Sequence, residues 1–145
     1  MSTPQNDPYA NIEQRIRTMR ILWFALVLSL VVYFVAARYL KPAGDIAPNP
    51  LLSLVLIVGA ALTTLISFPI RNSLLFRTVA QPQAQQVQQA YIVGWAINEV
   101  GALLGMLDFI LTGNRRYYIA FVIAGWGLLL HFPKREAILN ASFKS

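Results

Sequence analysis

The residues YIVGWAINEVGALLGMLDFIL, positions 91–111, decide how this chain folds. About 20 predominantly apolar residues suffice for a helix to cross the ~30 Å hydrocarbon layer of a membrane. This segment has that length, and Glu99 lies two residues before its midpoint. The sequence therefore predicts a membrane-spanning helix that carries one carboxyl group near the centre of the bilayer.

Small and polar residues form one narrow stripe along this predicted helix. Their spacings of 4, 3, 4, 3 and 4 residues place them on one face, because successive helical residues are about 100° apart. Small side chains let a neighbouring helix approach closely in lipid. We therefore predict a helix-packing face at Gly94, Asn98, Gly101 and Gly105, which Asp108 and Thr112 continue.

Glu99 lies on a different face of the helix, roughly 140° from the stripe and among apolar residues. An ionised carboxylate at this depth costs roughly 2.5–3.5 kcal/mol, so a protonated or hydrogen-bonded acid is expected. An ionisable residue inside the membrane is by default a candidate functional site. Three interpretations remain open: Glu99 locks the bundle as a hydrogen-bonded acid, it exchanges a proton or cation, or it contacts a partner subunit or lipid.

Composition places the chain among membrane proteins. Its 145 residues are 57% hydrophobic and only 12% charged, which does not fit a soluble domain. The chain has no cysteine and a single histidine, His131, so neither a thiolate nor a histidine metal site is expected. No cofactor or catalytic motif is present, and we expect no cofactor and no enzymatic activity. The net charge of +6 comes from residues at helix ends, which indicates membrane topology and no nucleic-acid partner.

Three further apolar segments complete an all-α, four-helix membrane bundle made of two helical hairpins. The predicted spans are residues 21–39, 51–70, 91–111 and 117–132, within a membrane domain of residues 21–132. The first is read as a retained anchor, because its apolar core is longer than that of a cleaved signal peptide. Pro69 is expected to kink or end the second span.

Polar segments flank and connect these spans. Residues 1–20 predict either a short amphipathic helix on the membrane surface or a tail that runs directly into the first span. Residues 71–90 are predicted to be the longest connection. The third helix is expected to begin near Gln81, within this connection, and to protrude into water before it enters the membrane. Residues 133–145 form a short basic tail.

The distribution of Lys and Arg predicts the orientation of the bundle. Eight of the 12 basic residues fall in the two terminal segments and the middle connection, and four fall on the opposite side. Because cytoplasmic loops carry an excess of Lys and Arg, both termini are predicted to be cytoplasmic. The expected location is a bacterial inner membrane or its equivalent.

Comparing depths along the spans suggests partners for Glu99. Ser29 of the first span and Thr63 and Thr64 of the second lie near the level of Glu99. They are therefore its candidate hydrogen-bond partners, whether Glu99 acts as a buried acid or as an ion-binding group.

The same comparison suggests an ion pair at the other membrane surface. Asp108 near the end of the third span lies at about the depth of Arg38 at the end of the first. We predict an Asp108–Arg38 ion pair that stabilises the bundle. His131, at the end of the fourth span, is predicted to be an interfacial residue.

One part of the chain resembles a known family. Arg77, Gln81-Pro82, Glu99 and Gly105 follow one another as in the proteolipid (c-type) subunit of rotary ATPases. In that family an Arg-Gln-Pro loop precedes a helix with a mid-membrane carboxylate, and a glycine follows six residues later. The resemblance covers residues 77–111 and implies that Glu99 is an ion-carrying carboxylate beyond a cytoplasmic loop. The chain departs from the family where three residues separate Arg77 from Gln81.

These observations predict a small multi-pass membrane protein. The first interpretation is a non-catalytic structural or accessory subunit that assembles through helix packing. The alternative is a proteolipid-like protein that handles protons or cations through Glu99. The expected partners are the lipid bilayer and either other membrane subunits or further copies of the same chain.

Overall fold

The structure, a computed structural model, describes residues 8–40, 49–78, 84–136 and 138. The described residues form four helices: α1 is Pro8–Tyr39, α2 is Pro50–Thr78, α3 is Ala84–Thr112 and α4 is Tyr118–Leu130. They pack into a four-helix bundle, which confirms the predicted fold class. Three helical segments are long and apolar enough to cross a membrane: Glu13–Tyr39, Pro50–Arg77 and Gln85–Thr112.

Helix α1 is longer than the predicted first span. Its 32 residues begin at Pro8, so the described part of the polar segment runs directly into the apolar part without a break. At 1.5 Å per residue the helix is about 48 Å long, which exceeds the ~30 Å hydrocarbon layer. The predicted first span, residues 21–39, is therefore part of a longer helix.

Helix α2 continues past Pro69, so this proline does not end the helix, which was one of its two expected effects. The helix reaches Thr78, so residues 71–78 are helical and the connection to α3 is shorter than predicted. Proline removes only one backbone donor from a helix of 29 residues, and membrane helices tolerate this loss where neighbouring helices support them. Helix α3 begins at Ala84, and the predicted start near Gln81 lies outside the described residues.

Helix α4 is the shortest element. Its 13 residues correspond to about 20 Å, less than the ~30 Å that a membrane-spanning helix must cover. The predicted fourth span of residues 117–132 is thus an apolar helix of Tyr118–Leu130 that packs beside three longer ones. Gly113, with a φ of 62°, lies between α3 and α4 and allows the chain to reverse direction there.

Helix α3 is the centre of the bundle. It packs along α2 and also contacts α1 and α4, while α1 and α2 each pack on α3 and α4. All six residues of the small and polar stripe on α3 are buried. Large apolar side chains on α1 and α2 point outward, as expected of surfaces that face lipid.

Candidate functional site

Glu99 lies where α3 contacts α1. The Ser29 hydroxyl donates a hydrogen bond to Glu99 Oε1 at 2.8 Å, and the Tyr33 hydroxyl donates to the same oxygen at 3.2 Å. Ser29 and Tyr33 are four residues apart in α1, so they lie one turn apart on the same helical face. The carboxyl group of α3 is therefore held by two hydroxyl groups of a neighbouring helix.

The Ser29 hydroxyl lies between two acceptors. It is 2.8 Å from Glu99 Oε1 and also 2.8 Å from the Leu26 carbonyl oxygen. A hydroxyl group has one proton to donate and two lone pairs with which to accept. When Glu99 is ionised, Ser29 donates to it. When Glu99 is protonated, it is able to donate to Ser29, which then donates to Leu26, so this arrangement accommodates both protonation states.

The second oxygen of Glu99 is placed differently. Both hydrogen bonds from α1 are accepted by Oε1, and among the described residues Oε2 accepts none. The side chain is half-buried, at the boundary between the α1–α3 contact and the outer surface of the bundle. Only one of the two carboxyl oxygens is therefore used in the contact between α1 and α3.

Ser29 is a hydrogen-bond partner of Glu99, but the predicted participation of Thr63 and Thr64 is wrong. The Thr63 hydroxyl donates to the Ala60 carbonyl oxygen at 2.9 Å within α2. Thr64 Oγ1 is buried and has no hydrogen-bond partner among the described residues. Both threonines lie beside Gly101, on the stripe side of α3, whereas Glu99 points to α1. Their predicted depth in the membrane matches that of Glu99, but depth alone does not show which face of α3 a residue of another helix contacts.

Tyr33 was not among the predicted partners of Glu99. A signal for it was present, because Tyr33 follows Ser29 by four residues in the first span. A residue one turn from a predicted contact shares its face and is able to reach the same partner. Comparing depth alone excluded Tyr33, since it lies one turn further along α1.

The predicted packing face of α3 is in contact with α2 and α4. A Cβ atom placed on Gly101 would lie 3.1 Å from the Ala60 carbonyl oxygen of α2. One placed on Gly105 would lie 2.7 Å from the Ala120 Cβ of α4. These distances leave little room for larger side chains, as expected where glycines let helices approach closely.

The rest of the stripe combines close packing with a hydrogen bond between helices. Gly94 is packed against the Cβ of Arg71 and the ring of His131, since a Cβ there would lie 3.2 Å and 3.3 Å from them. Asn98 is fully buried, and its Nδ2 donates to the Ala124 carbonyl oxygen of α4 at 2.7 Å. The stripe therefore holds α2 and α4 together around α3.

The predicted Asp108–Arg38 ion pair is absent from the described part of the chain. Asp108 is fully buried and accepts hydrogen bonds from Thr112 Oγ1 at 2.9 Å and from Asn114 Nδ2 at 2.8 Å. Arg38 is exposed. The reversal of the chain after α3 brings Asn114 back over the end of its own helix, so residues close in sequence satisfy the carboxylate.

Two tryptophans form a second polar cluster that the sequence analysis missed. Trp23 Nε1 of α1 donates to the Leu128 carbonyl oxygen at 2.8 Å, and Trp95 Nε1 of α3 donates to the His131 carbonyl oxygen at 3.1 Å. A helix leaves its last four carbonyl groups without intrahelical donors. The two indoles supply donors at this buried end of α4. The acceptors are backbone oxygens, which every residue carries. The sequence therefore could not show which of them the two indoles contact, because that depends on how α4 packs against α1 and α3.

His131 lies at the end of α4, as predicted, and its side chain is buried within the bundle. Its side chain has no exposed surface, and the ring lies 4.2 Å from the Phe68 ring between their centroids. Nδ1 is 2.7 Å from the Gly127 carbonyl oxygen, and Nε2 is 3.3 Å from the Ser67 hydroxyl oxygen. These contacts link the end of α4 to α2, so His131 belongs to the packing of the bundle.

Three long apolar helices with inward-facing polar groups define a small helical membrane protein. Within the described ranges, no group of three or more His, Asp or Glu residues is arranged as metal ligands would be. Comparison of the chain with protein-family models, curated proteins and solved structures finds no match.

Proposed function

We propose that this protein is a non-catalytic structural or accessory subunit that assembles within a membrane through helix packing. The observation that carries the proposal is the pair of hydrogen bonds from α1 to Glu99. The polar stripe of α3 is likewise buried against α2 and α4. The polar groups of the central helix thus connect the four helices of one chain.

A few polar contacts of this kind connect α1 to the rest of the bundle. Glu13 pairs with Arg135 at 2.6 Å near the beginning of α1, and Trp23 is bonded to the end of α4. Glu99 provides the attachment further along α1. A hydrogen bond between membrane helices contributes roughly 0.6 kcal/mol on average and up to about 1.7 kcal/mol. The two bonds to Glu99 therefore contribute about 1–3 kcal/mol to the docking of α1.

The outward face of α1 is the surface on which we expect a partner subunit, a further copy of the chain or lipid. Its apolar side chains are more than a third exposed over several turns. In this proposal the bilayer covers them where no partner does, since lipid tails are as apolar as these side chains. The face consists of Phe24, Leu28, Val31, Val35 and Tyr39.

Substitutions of Glu99 test the structural role. Glu99→Gln keeps an oxygen that accepts from Ser29 and Tyr33, so the unfolding free energy in detergent should stay within about 0.5 kcal/mol of wild type. Glu99→Ala removes both bonds and should lower it by about 1–3 kcal/mol. Val100→Ala, at the exposed next position of α3, is the matched control and should have little effect. Equal stability of Glu99→Ala and wild type would contradict the proposal.

A second candidate function is proton or cation exchange at Glu99. Two observations favour it: Oε2 accepts no hydrogen bond from a described residue, and Ser29 is able to serve either protonation state. The resemblance of residues 77–111 to proteolipid subunits also favours it. This function requires a titratable carboxyl group, which Gln cannot replace. Proton flux into protein-containing vesicles, monitored with an internal pH dye, should then occur with wild type and be lost in Glu99→Gln. Equal flux with the two proteins rejects this candidate.

A further inference from the structure

A cleft opens at the end of the bundle where α2 begins and α3 ends. Its volume is about 470 Å³. Leu54 and Ile57 of α2 form an apolar wall, and Asn49, Arg115 and Arg116 form a polar rim. Leu54 and Ile57 lie four and seven residues after Pro50, which places them about 6 Å and 10 Å along the helix from its first residue. The cleft is therefore polar at its mouth and apolar further along the span.

A network of hydrogen bonds fixes the turn that carries the two arginines. Asn114 Nδ2 donates to Asp108 Oδ2 at 2.8 Å and to Ser53 Oγ of α2 at 2.6 Å. Asn114 Oδ1 accepts from the backbone N–H of Arg116 at 2.9 Å. The turn is thus attached both to the buried end of α3 and to α2. The backbone of the arginine pair is held beside the cleft.

The charge of this rim is not neutralised within the described chain. Arg115 and Arg116 are exposed, and the ion pair found among the described residues, Glu13–Arg135, lies elsewhere. The carboxylate of the network, Asp108, is fully buried and already accepts from Thr112 and Asn114. Two adjacent exposed cations therefore lie next to an apolar groove, at the ends of two helices that are long enough to cross a membrane.

We propose that this cleft binds an anionic phospholipid. Its phosphate contacts Arg115 and Arg116, and an acyl chain lies along Leu54 and Ile57. Guanidinium groups match the geometry of phosphate oxygens and bind them in a bidentate manner. The attraction between a basic residue and an anionic headgroup depends on their charges, so it also operates on the non-cytoplasmic side, where the predicted topology places this cleft. A soluble anion would use the arginines but would leave the apolar wall without a partner, which is why a lipid fits this cleft.

Native mass spectrometry of the full-length protein in detergent tests the proposal. Phosphatidylglycerol and phosphatidylcholine are added in equal amounts, and the bound fraction of each is measured. Wild type should retain phosphatidylglycerol preferentially. The double variant Arg115→Gln, Arg116→Gln should bind it roughly tenfold or more weakly, because each basic residue near an anionic surface contributes about a fivefold gain in affinity.

Two further variants separate a specific cleft from general attraction between charges. Arg17→Gln with Arg77→Gln removes the same charge from exposed positions at the other end of the bundle and should change retention less than twofold. Leu54→Trp keeps both arginines but fills the groove from an exposed position, and should also weaken retention.

Three outcomes would overturn the proposal. The first is undiminished retention of phosphatidylglycerol when both rim arginines are replaced. The second is an equal loss in the Arg17, Arg77 control. The third is competition by glycerol phosphate, which has the headgroup charge but no acyl chain, at concentrations similar to those of the lipid. The last result would identify a soluble phosphate as the ligand.

Discussion

Among the described glycines, Gly127 has the least room for a side chain. A Cβ atom placed there would overlap Asn98 Oδ1 and lie 2.7 Å from Thr64 Cγ2. Asn98 is held by its bond to the Ala124 carbonyl oxygen and cannot move aside without losing it. A single added methyl group at this position must therefore shift α4 away from α2 and α3.

We expect Gly127→Ala to lower the unfolding free energy in detergent by about 1–3 kcal/mol, the usual cost of overpacking a core. Gly125→Ala is the matched control, two residues away on the same helix. Its Cβ would meet Leu30 Cδ2 at 3.7 Å, an ordinary contact. Since alanine favours a helix over glycine, Gly125→Ala should be neutral or stabilising by up to about 1 kcal/mol. Thermal unfolding of both variants checks the difference, and equal stability would refute this view of the packing.

The connection between α3 and α4 depends on one buried carboxylate. Asp108 accepts from Thr112 within α3 and from Asn114 beyond it, so it fixes the position at which the chain reverses. Gly113 supplies the left-handed backbone conformation that the reversal requires. This element brings α4, which is too short to cross the membrane by itself, onto the sides of α2 and α3.

Replacing Asp108 tests this description of the turn. Asp108→Ala should lower the unfolding free energy by about 1–3 kcal/mol, because it removes the hydrogen bonds that the carboxylate accepts from Thr112 and Asn114, although each of these side chains keeps one other acceptor. Arg38→Gln should change it by less than about 0.5 kcal/mol, since Arg38 is exposed and away from this network. Similar losses in the two variants would instead support the ion pair that the sequence suggested.

At the level of whole helices, Pro69 and the stripe on α3 show which local sequence patterns predict the structure and which do not. Proline is a good general predictor of a helix end, yet α2 continues to Thr78 because packing along α3 outweighs one missing backbone bond. The stripe on α3, in contrast, could be predicted in full from spacing. Its residues are buried because small groups are the ones that allow close helix contact in lipid.

At the level of the whole molecule, the orientation of the bundle in the membrane follows from the distribution of its basic residues and remains a prediction. The absence of cysteine from the sequence allows single cysteines to report accessibility without background labelling. Tyr39 at the end of α1 is 84% exposed, and Lys134 beyond α4 is also exposed. These two positions lie on opposite sides in the predicted topology.

With cytoplasmic termini, Tyr39→Cys in intact cells should react with a membrane-impermeant maleimide. Lys134→Cys should react only after the membrane is permeabilised. The labelling of each variant before and after permeabilisation is compared by gel shift. The reverse pattern would mean that both termini lie outside. Labelling of both cysteines in intact cells would contradict the three membrane crossings predicted between them.

The sequence by itself determined the class of the protein, the approximate positions of its helices and the face on which α3 packs. Hydropathy and helical spacing are local properties, and the bilayer allows few alternatives to a helix for an apolar segment of 20 or so residues. The sequence also indicated that Glu99 needed a partner in a neighbouring helix.

Only the tertiary structure decided which helix supplied that partner. Depth in the membrane follows from counting residues, but the direction in which a side chain points depends on how each helix is rotated against its neighbours. Ser29 and Tyr33 rather than Thr63 and Thr64 meet Glu99 because α1, and not α2, packs on its face of α3. Helix rotation is set by the fit of many side chains at once, and no single segment contains that information.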